Sequence, residues 1–233
     1  MIGLIELSTC TSTSSWAIEH ITQLNHGSVV FTRKQTAGRG REGRTWLAPE
    51  GTLTASIVVD ASAAQATAIA LAAGLACIHA VADACPSLVA DALTIKWPND
   101  VLLGGRKLAG ILCEGTGGRL VIGIGLNRCA DLPANLPATS LHLHAVPPED
   151  LVLLQSIRTY VLEAVGLCLA RGLAPLLPQL RARDALLGRS VTVETRQGRI
   201  DGQGAGIDES GRLLVIVPAG GIATIDAGHV IAW

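Results

Sequence analysis

The chain has 233 residues, of which 49% are hydrophobic and only 16% are charged, and its formal net charge is −1. This composition excludes a disordered chain, which lacks the apolar residues to form a core, and a nucleic-acid binder that works through a broad basic face. The length is sufficient for one sizeable core with a small appended module.

The cysteines indicate a reducing compartment. Six are spread over positions 10, 77, 85, 113, 129 and 168, without a C-x-x-C pair and without histidines at metal-ligand spacing. Such a pattern is typical of buried thiols. The N-terminus has neither a basic start nor an apolar run long enough for a signal peptide, so we expect a cytoplasmic protein.

Hydrophobic periodicity and turn residues predict the elements in chain order. The first are a strand at 2–7, a helix at about 16–24 capped by the Ser/Thr cluster before it, strands at 29–32 and 53–59, a helix at 63–84 and a strand at 93–97. The helix at 63–84 is alanine-rich but contains His79 and Asp83, and we expect it to be buried in the protein rather than to span a membrane.

A hairpin comes next, because Gly104-Gly105 separates apolar stretches at 100–103 and 106–109 and supplies the positive φ of a tight turn. Paired strands are predicted at 108–114 and 120–126, followed by helices at about 147–170 and 175–187. Helices mixed with strands that are mostly joined by hairpins predict an α+β fold rather than a regular βαβ repeat.

From Gly188 onward the pattern changes to short strands at 190–194, 199–207, 213–217 and 222–225, separated by glycine-containing turns. Such a series predicts a small barrel-like module. We therefore divide the chain into a larger domain at 1–187 and a C-terminal module at 188–233.

The most charged segment is the arginine loop, residues 38–46, which reads Gly-Arg-Gly-Arg-Glu-Gly-Arg-Thr-Trp. Over residues 33–44, five basic residues against one acidic residue give a local charge of +4. Glycines let backbone N–H groups approach a ligand, and guanidinium groups match phosphate or carboxylate. The loop is predicted to bind an anion, with a solvated surface loop as the alternative. Its match to G-x-G-x-x-G is accidental, because a strand follows it instead of a helix.

A second cluster, Lys96-Trp97-Pro98-Asn99-Asp100, ends a predicted strand. A lysine there can meet a phosphate, and a carboxylate can hold Mg²⁺ or orient a nucleophile. The alternative is ordinary turn chemistry, since Asn-Asp after Pro is common in turns.

Two more features lie on the paired strands that follow. Lys107 begins the apolar run 107–112, where a strand-edge lysine is often only solvated. The run Gly123-Ile124-Gly125-Leu126-Asn127 leaves one face of its strand bare, so a flat group can lie there while Asn127 contacts its polar edge. The alternative is a sheet packed closely against a helix.

In this order and spacing, the clusters resemble those of the biotin protein ligases, the biotin-[acetyl-CoA-carboxylase] ligase family. The resemblance extends over nearly the whole chain, from Ser12-Thr13 to the run 206–215 in the C-terminal module. It implies a class II synthetase-like catalytic domain, with a mixed, mostly antiparallel sheet and flanking helices, followed by a small SH3-like β-barrel.

The resemblance also implies an activity. Members of the family are ATP-dependent, AMP-forming ligases that convert biotin to biotinyl-5'-AMP. They then transfer biotin to one lysine of a biotin carboxyl carrier protein or domain, here that of acetyl-CoA carboxylase or a related carboxylase. Biotin, ATP and Mg²⁺ are the implied small molecules.

Roles for individual residues follow from the same resemblance. The implied catalytic residues are Lys107, Arg41, Lys96 and Asp100, and Asp100 is also the candidate Mg²⁺ ligand. The implied biotin-binding residues are Ser12, Thr13, Gln35, Gly38, Arg39, Arg41, Lys107, Gly110 and Gly123. The residues implied for ATP or the adenylate are Arg39, Arg41, Arg44, Trp46, Lys96, Asn99, Lys107 and Asn127.

Two positions depart from the family pattern. Ser14 stands where many members have Asn, so a weaker or water-mediated hydrogen bond is expected, and Glu42 stands where a basic residue is frequent. The chain starts at the catalytic strand, without the helix-turn-helix domain of some members. We therefore expect a monofunctional ligase, a monomer or homodimer that binds neither DNA nor a membrane.

Two alternatives stay open at this point. A lipoate or octanoate ligase or transferase of the same fold is one, and Cys113 is the residue that would serve as a transferase nucleophile. The other is a non-catalytic nucleotide- or RNA-binding module.

Overall fold

The computed structural model describes residues 3–89 and 92–233. Residue 2, where the first strand was predicted to begin, lies outside this part. The larger domain contains nine strands, which are β1 Leu4–Leu7, β2 Val29–Thr32, β3 Gly38–Arg39, β4 Thr45–Trp46, β5 Thr52–Val59, β6 Leu93–Lys96, β7 Asp100–Leu103, β8 Arg106–Thr116 and β9 Arg119–Asn127. Four helices occur in the described residues, α1 Thr13–Glu19, α2 Ala66–Ala84, α3 Asp150–Arg171 and α4 Leu177–Ala182.

Seven of these strands form one sheet in the order β1-β2-β5-β9-β8-β7-β6. Only β1 and β2 run parallel, and the other neighbours are antiparallel. This confirms the predicted α+β fold with a mixed, mostly antiparallel sheet. The short strands β3 and β4 pair with each other and bring the two ends of the arginine loop together.

The helix predicted at 63–84 is α2, preceded by a 3-10 turn at Ala63–Gln65. Its side chains are buried along most of its length, against the sheet and α3. Two stretches, Ala63–Ala84 and Asp150–Arg171, are long and apolar enough to cross a membrane. The burial of the first agrees with its predicted place in the protein core.

The predicted bounds of two helices were wrong. The first helix begins at Thr13 rather than Trp16, because Ser12 is its N-cap and accepts a hydrogen bond from the backbone of Ser15 at 3.4 Å. The helix predicted at 175–187 ends at Ala182, because the residues after it turn to pair with the edge of the sheet. There the N–H of Ile95 donates to the carbonyl of Arg183 at 2.7 Å.

The C-terminal module has five antiparallel strands, β10 Ser190–Thr195, β11 Gly198–Ile207, β12 Leu213–Ile216, β13 Ile222–Ile225 and β14 His229–Ala232. Their order is β13-β12-β11-β10-β14. Four of them match predicted strands. The fifth, β14, was missed because it is short and polar at its start, and it forms by pairing with β10.

The two parts of the chain share one hydrophobic core. Buried residues of the module, such as Val193 and Val215, belong to the same contiguous cluster as α2 and the large sheet. A buried hydrogen bond also joins the parts, since Nε1 of Trp97 donates to the carbonyl of Gly211 at 2.9 Å. The C-terminal module is therefore packed onto the larger domain, and it closes one side of the pocket described next.

Candidate active site

One pocket collects nearly all the residues singled out in the sequence. It lies between the N-terminus of α1, the arginine loop, the turn after β6, strands β8 and β9, and the start of β14, and its volume is about 150 Å³. Of the predicted site residues, it is lined by Ser12, Thr13, Gln35, Arg39, Arg41, Arg44, Trp46, Lys96, Asn99, Asp100, Lys107, Gly110 and Gly123.

The polar end of the pocket is formed by Ser12, Thr13, Ser14 and Gln35. The three consecutive residues are buried because they start α1 against the sheet. The backbone N–H of Thr13 donates to Oε1 of Gln35 at 2.9 Å, which ties the segment after β2 to the helix. This end therefore presents hydroxyl and amide groups without a charged side chain.

The arginine loop is held in a compact hairpin. Gly38 pairs with Trp46, and a Cβ atom at Gly38 would overlap the carbonyl oxygen of Trp46. Arg39 donates to Oγ of Ser15 at 3.0 Å and forms an ion pair with Glu114. A side chain at position 38 would thus break the hairpin that carries the arginines.

Arg41 lies deeper in the pocket than the other loop arginines. Burial lowers the pKa of its guanidinium, and the nearby carboxylates of Glu42 and Asp100 partly offset that effect. Among the described residues its side chain has no hydrogen-bond or ion-pair partner. A partly buried cation in that state favours binding of an anion.

Arg44 is turned toward the C-terminal module. Its guanidinium lies 3.1 Å from Nε2 of His229, at the start of β14, and 3.3 Å from Glu42. Burial and the positive charge of Arg44 lower the pKa of His229. The loop and β14 therefore contact each other across the mouth of the pocket.

The glycine face is the bare patch formed by Gly110 of β8 and by Gly123 and Gly125 of β9. Gly110 and Gly125 are direct partners across the two strands. The indole of Trp46 lies on this face, and a Cβ atom at Gly125 would overlap it. The flat group predicted for the face is therefore the chain's own tryptophan in this structure, and its Nε1 is buried without a hydrogen-bond partner in the described residues.

Two lysines flank the glycine face. Nζ of Lys107 lies 2.6 Å from Oδ1 of Asp100 and 5.4 Å from the centroid of the Trp46 ring. Nζ of Lys96 donates to the carbonyl of Val230 in β14 at 3.1 Å. Burial lowers the pKa of Lys96, and Asp100 partly offsets this. The lysines of β6 and β8 thus lie beside the same carboxylate, Asp100, on the strand β7 between them.

The two predicted asparagines differ in position. Asn99 lines the pocket, and its amide donates to the carbonyl of Ile111 at 2.7 Å. Asn127 is buried at the end of β9 and does not line the pocket. Its amide donates to the carbonyl of Thr139 at 3.1 Å, and its Oδ1 has no partner among the described residues. The role of Asn127 toward the adenylate stays a prediction.

Comparison with known proteins agrees with this geometry. Residues 4–127 match the model of the biotin/lipoate A/B protein ligase family, and residues 186–233 match that of the biotin protein ligase C terminal domain. The chain belongs to the biotin/lipoate A/B protein ligase family. The second match begins at residue 186, and our division at 188 stays a prediction.

Individual ligases of the family are similar over almost the whole chain. The biotin–[acetyl-CoA-carboxylase] ligase of Paracoccus denitrificans is 34% identical, over 92% of this chain and 94% of that protein. The bifunctional ligase/repressor of Escherichia coli strain K12 is 32% identical, over 88% of this chain and 66% of its own length. The biotin protein ligase from Aquifex aeolicus, solved in complex with biotin and ATP, has a TM-score of 0.86 at 26% identity, over 99% of this chain and 98% of that one.

The pocket of this family member does not hold a Mg²⁺ site formed by protein groups alone. Its two carboxylates are both paired with cations, Asp100 with Lys107 at 2.6 Å and Glu42 with Arg44 at 3.3 Å. Within the described ranges, no group of three or more His, Cys, Asp or Glu side chains could hold a metal ion. The donor set therefore does not fit the metal without further ligands, and Asp100 as a Mg²⁺ ligand stays a prediction.

Three residues near this ligase-family pocket were missed by sequence reasoning. Ser56 lies behind the polar end, and Gly228, just before β14, and His229, at its start, line the pocket. Ser56 appears in the sequence only as one small residue in an apolar strand. The other two reach the pocket because the C-terminal module folds back onto the large domain, which no local pattern indicates.

Proposed function

We propose that this chain is a biotin–protein ligase, which forms biotinyl-5'-AMP from biotin and ATP and then transfers biotin to a lysine of a biotin carboxyl carrier domain. The observation that carries the proposal is the composition of one pocket. An uncharged polar end, a glycine face and the cationic side chains of Arg39, Arg41 and Lys107 line the same pocket. These three surfaces suit a head group, a base and an acyl phosphate.

The reaction needs positive charge where the carboxylate of biotin attacks the α-phosphate. Lys107 is proposed to stabilise the charge that develops on that phosphate, with Asp100 holding its ammonium group in place. Arg41 is proposed to bind the carboxylate and phosphate, because its guanidinium is partly buried and unpaired among the described residues. Lys96, at the end of β6, is proposed to share the task.

The base of the nucleotide is proposed to stack on the indole of Trp46. The absence of side chains at Gly110 and Gly125 leaves room for that indole on the glycine face, and the base would pack against the other side of the ring. Asn127 is proposed to accept a hydrogen bond from the amino group of adenine through its unpaired Oδ1. The arginine loop would then close over the acyl phosphate and exclude water from a hydrolysable intermediate.

The partner is proposed to be the biotin carboxyl carrier protein or domain of acetyl-CoA carboxylase or a related carboxylase. We expect Mg²⁺ to enter with the phosphates of ATP, since Mg²⁺ usually keeps few protein ligands. We also propose that the ligase works in the cytoplasm as a monomer or homodimer, with neither DNA nor a membrane as a partner.

Release of pyrophosphate without an acceptor tests this function. Biotin and ATP together should yield pyrophosphate and a tightly held biotinyl-adenylate, because the first half-reaction needs no protein partner. Lipoate or octanoate in place of biotin is the matched control and should yield none. Pyrophosphate that appears only after an acceptor is added would contradict the two-step reaction. ATP binding without any pyrophosphate would favour a non-catalytic nucleotide-binding module.

A further inference from the structure

Four side chains form a hydrogen-bonded relay at the polar end of the pocket. Oγ of Ser14 lies 3.0 Å from Oγ of Ser56, and Oγ of Ser56 donates to Oγ1 of Thr13 at 2.9 Å. The fourth member, Gln35, accepts from the backbone N–H of Thr13 at 2.9 Å. Ser56 is fully buried on β5 and does not line the pocket, whereas the other three members do. Any effect of Ser56 on a ligand is therefore transmitted by its neighbours.

The relay has one direction, because each hydroxyl carries a single proton. Gln35 must turn its amide oxygen toward Thr13, since an N–H can only donate. The same oxygen lies 3.5 Å from Oγ1 of Thr13 and can only accept, so the Thr13 proton points toward Gln35. The oxygen of Thr13 then accepts from Ser56. Since the proton of Ser56 is used there, its oxygen accepts from Ser14.

This direction decides which groups remain for a ligand. The proton of Ser14 is used inside the protein, so its oxygen presents acceptor sites above Gly123, where a Cβ atom would overlap it. Nε2 of Gln35 keeps its donors and lies over Gly38, where a Cβ atom would be 2.7 Å away. Oγ of Ser12 accepts a backbone N–H of α1 at 3.4 Å, which leaves its own proton as a second donor.

We propose that Ser56 is a positioning residue that fixes this hydrogen-bond polarity, and that the polarity selects a cyclic urea. Donors from Ser12 and Gln35 match the carbonyl oxygen of the ring, and the acceptor of Ser14 matches one of its N–H groups. A dithiolane ring or an alkyl chain offers neither partner and would leave the buried groups of the site unpaired. This inference rests on the proposed function, because biotin supplies the cyclic urea.

Binding of two ligands to the full chain tests the role of Ser56. The probes are biotin and biotin methylated on a ureido nitrogen, with affinities measured by titration calorimetry. The unchanged protein should prefer biotin, whereas Ser56→Ala should weaken biotin binding about tenfold and reduce the preference, because the freed Ser14 hydroxyl can turn its proton outward. Thr52→Ala is the matched control, since Thr52 is a buried residue of the same strand outside the pocket, with no partner for Oγ1 in the described residues. It should change neither affinity.

Kinetics separate positioning from a general loss of structure. Ser56→Ala should raise KM for biotin while kcat and KM for ATP stay within about twofold, since its nearest partners lie at the polar end, away from the reacting phosphate. Ser56→Thr keeps the hydroxyl and should restore biotin binding. If Ser56→Ala does not fold, Ser14→Ala removes the outward acceptor and should reduce the preference for unmethylated biotin.

The proposal is overturned if Ser56→Ala and Thr52→Ala have the same affinity for biotin and the same preference between the two probes. An unchanged preference in Ser14→Ala overturns it as well. Failure of the proposed function is a different result, because the unchanged protein would then bind no biotin and release no pyrophosphate with it.

Discussion

Charge pairing in the pocket differs from residue to residue. Asp100 is paired with Lys107, and Glu114 with Arg39, whereas the Arg41 side chain is unpaired among the described residues. A cation that is already held by a carboxylate has a fixed position, and an unpaired one is free to bind an anion that enters. Lys107 should therefore contribute mainly to rate.

The substitution Lys107→Ala tests whether Lys107 contributes to the rate of adenylation rather than to biotin binding. We expect adenylation to slow by about 10²- to 10³-fold, because the lysine stabilises charge that grows in the transition state, while biotin binds almost as before. Single-turnover kinetics and titration with biotin alone measure the two effects. Lys34→Ala is the control, since Lys34 is exposed and outside the pocket. Equal losses in rate and in biotin affinity would make Lys107 a binding residue instead.

The state of the Cys113 thiol argues against a transferase reaction that uses a cysteine nucleophile. It lies on β8, and burial raises the pKa of its thiol to about 12. A thiol in that state is almost entirely protonated at neutral pH and is a poor nucleophile. Cys113→Ser should keep the rate of biotin transfer within about twofold, as should treatment of the unchanged protein with a thiol alkylating reagent. Loss of transfer in both experiments would indicate a thiol-dependent reaction.

Among the elements, the strands around the glycine face were predicted from the sequence, but the residue that lies on this face was not. The Gly-x-Gly spacing of β9 indicated a bare face, and the hairpin at Gly104-Gly105 indicated how β7 and β8 pair. That Trp46 would lie on this face could not be predicted, because it depends on the short hairpin of β3 and β4. The pairing of β14 with β10 was missed for the same reason, since contacts between distant segments leave no local periodicity.

Gly125→Ala tests the function of the glycine face. The three atoms nearest to the added Cβ atom all belong to Trp46, so the substitution should push the indole off the face and leave the strand in place. We expect KM for ATP to rise about tenfold or more, because the displaced ring occupies the proposed base site. Biotin affinity should change little, and steady-state kinetics with each substrate varied in turn measure both.

Gly166→Ala is the matched control for that substitution. Gly166 is exposed on α3, and an added Cβ atom meets nothing within 4 Å. The change should stabilise the protein by roughly 0.5–1 kcal/mol, because alanine loses less conformational freedom in a helix than glycine does. Unchanged KM for ATP in Gly125→Ala as well as in Gly166→Ala would remove the glycine face from nucleotide binding.

At the scale of the whole molecule, the two domains predicted from the sequence share one hydrophobic core. The change of pattern at Gly188 predicts two domains, whereas the buried side chains of the C-terminal module belong to the core of the larger domain. Two hydrogen bonds, Trp97 with Gly211 and Lys96 with Val230, join the module to the end of β6. Composition and strand spacing could predict the module but not its docking.

The shared core predicts one cooperative unfolding transition for residues 1–233. Because the module loses its packing when the large domain unfolds, the two parts should melt together, and scanning calorimetry should show a single peak. Trp97→Phe removes the buried hydrogen bond to Gly211 and should lower the midpoint without splitting the peak. Two separated transitions in the unchanged protein would show that the module folds independently.

The mass of an acceptor domain tests the central claim most directly. A biotin carboxyl carrier domain is incubated with this protein, ATP, Mg²⁺ and biotin, and its intact mass is then measured by mass spectrometry. We predict an increase by one biotinyl group on a single lysine, and none when ATP is omitted or when that lysine is replaced by arginine. An acceptor whose mass does not change, under conditions in which the protein is folded and binds both substrates, would contradict the account.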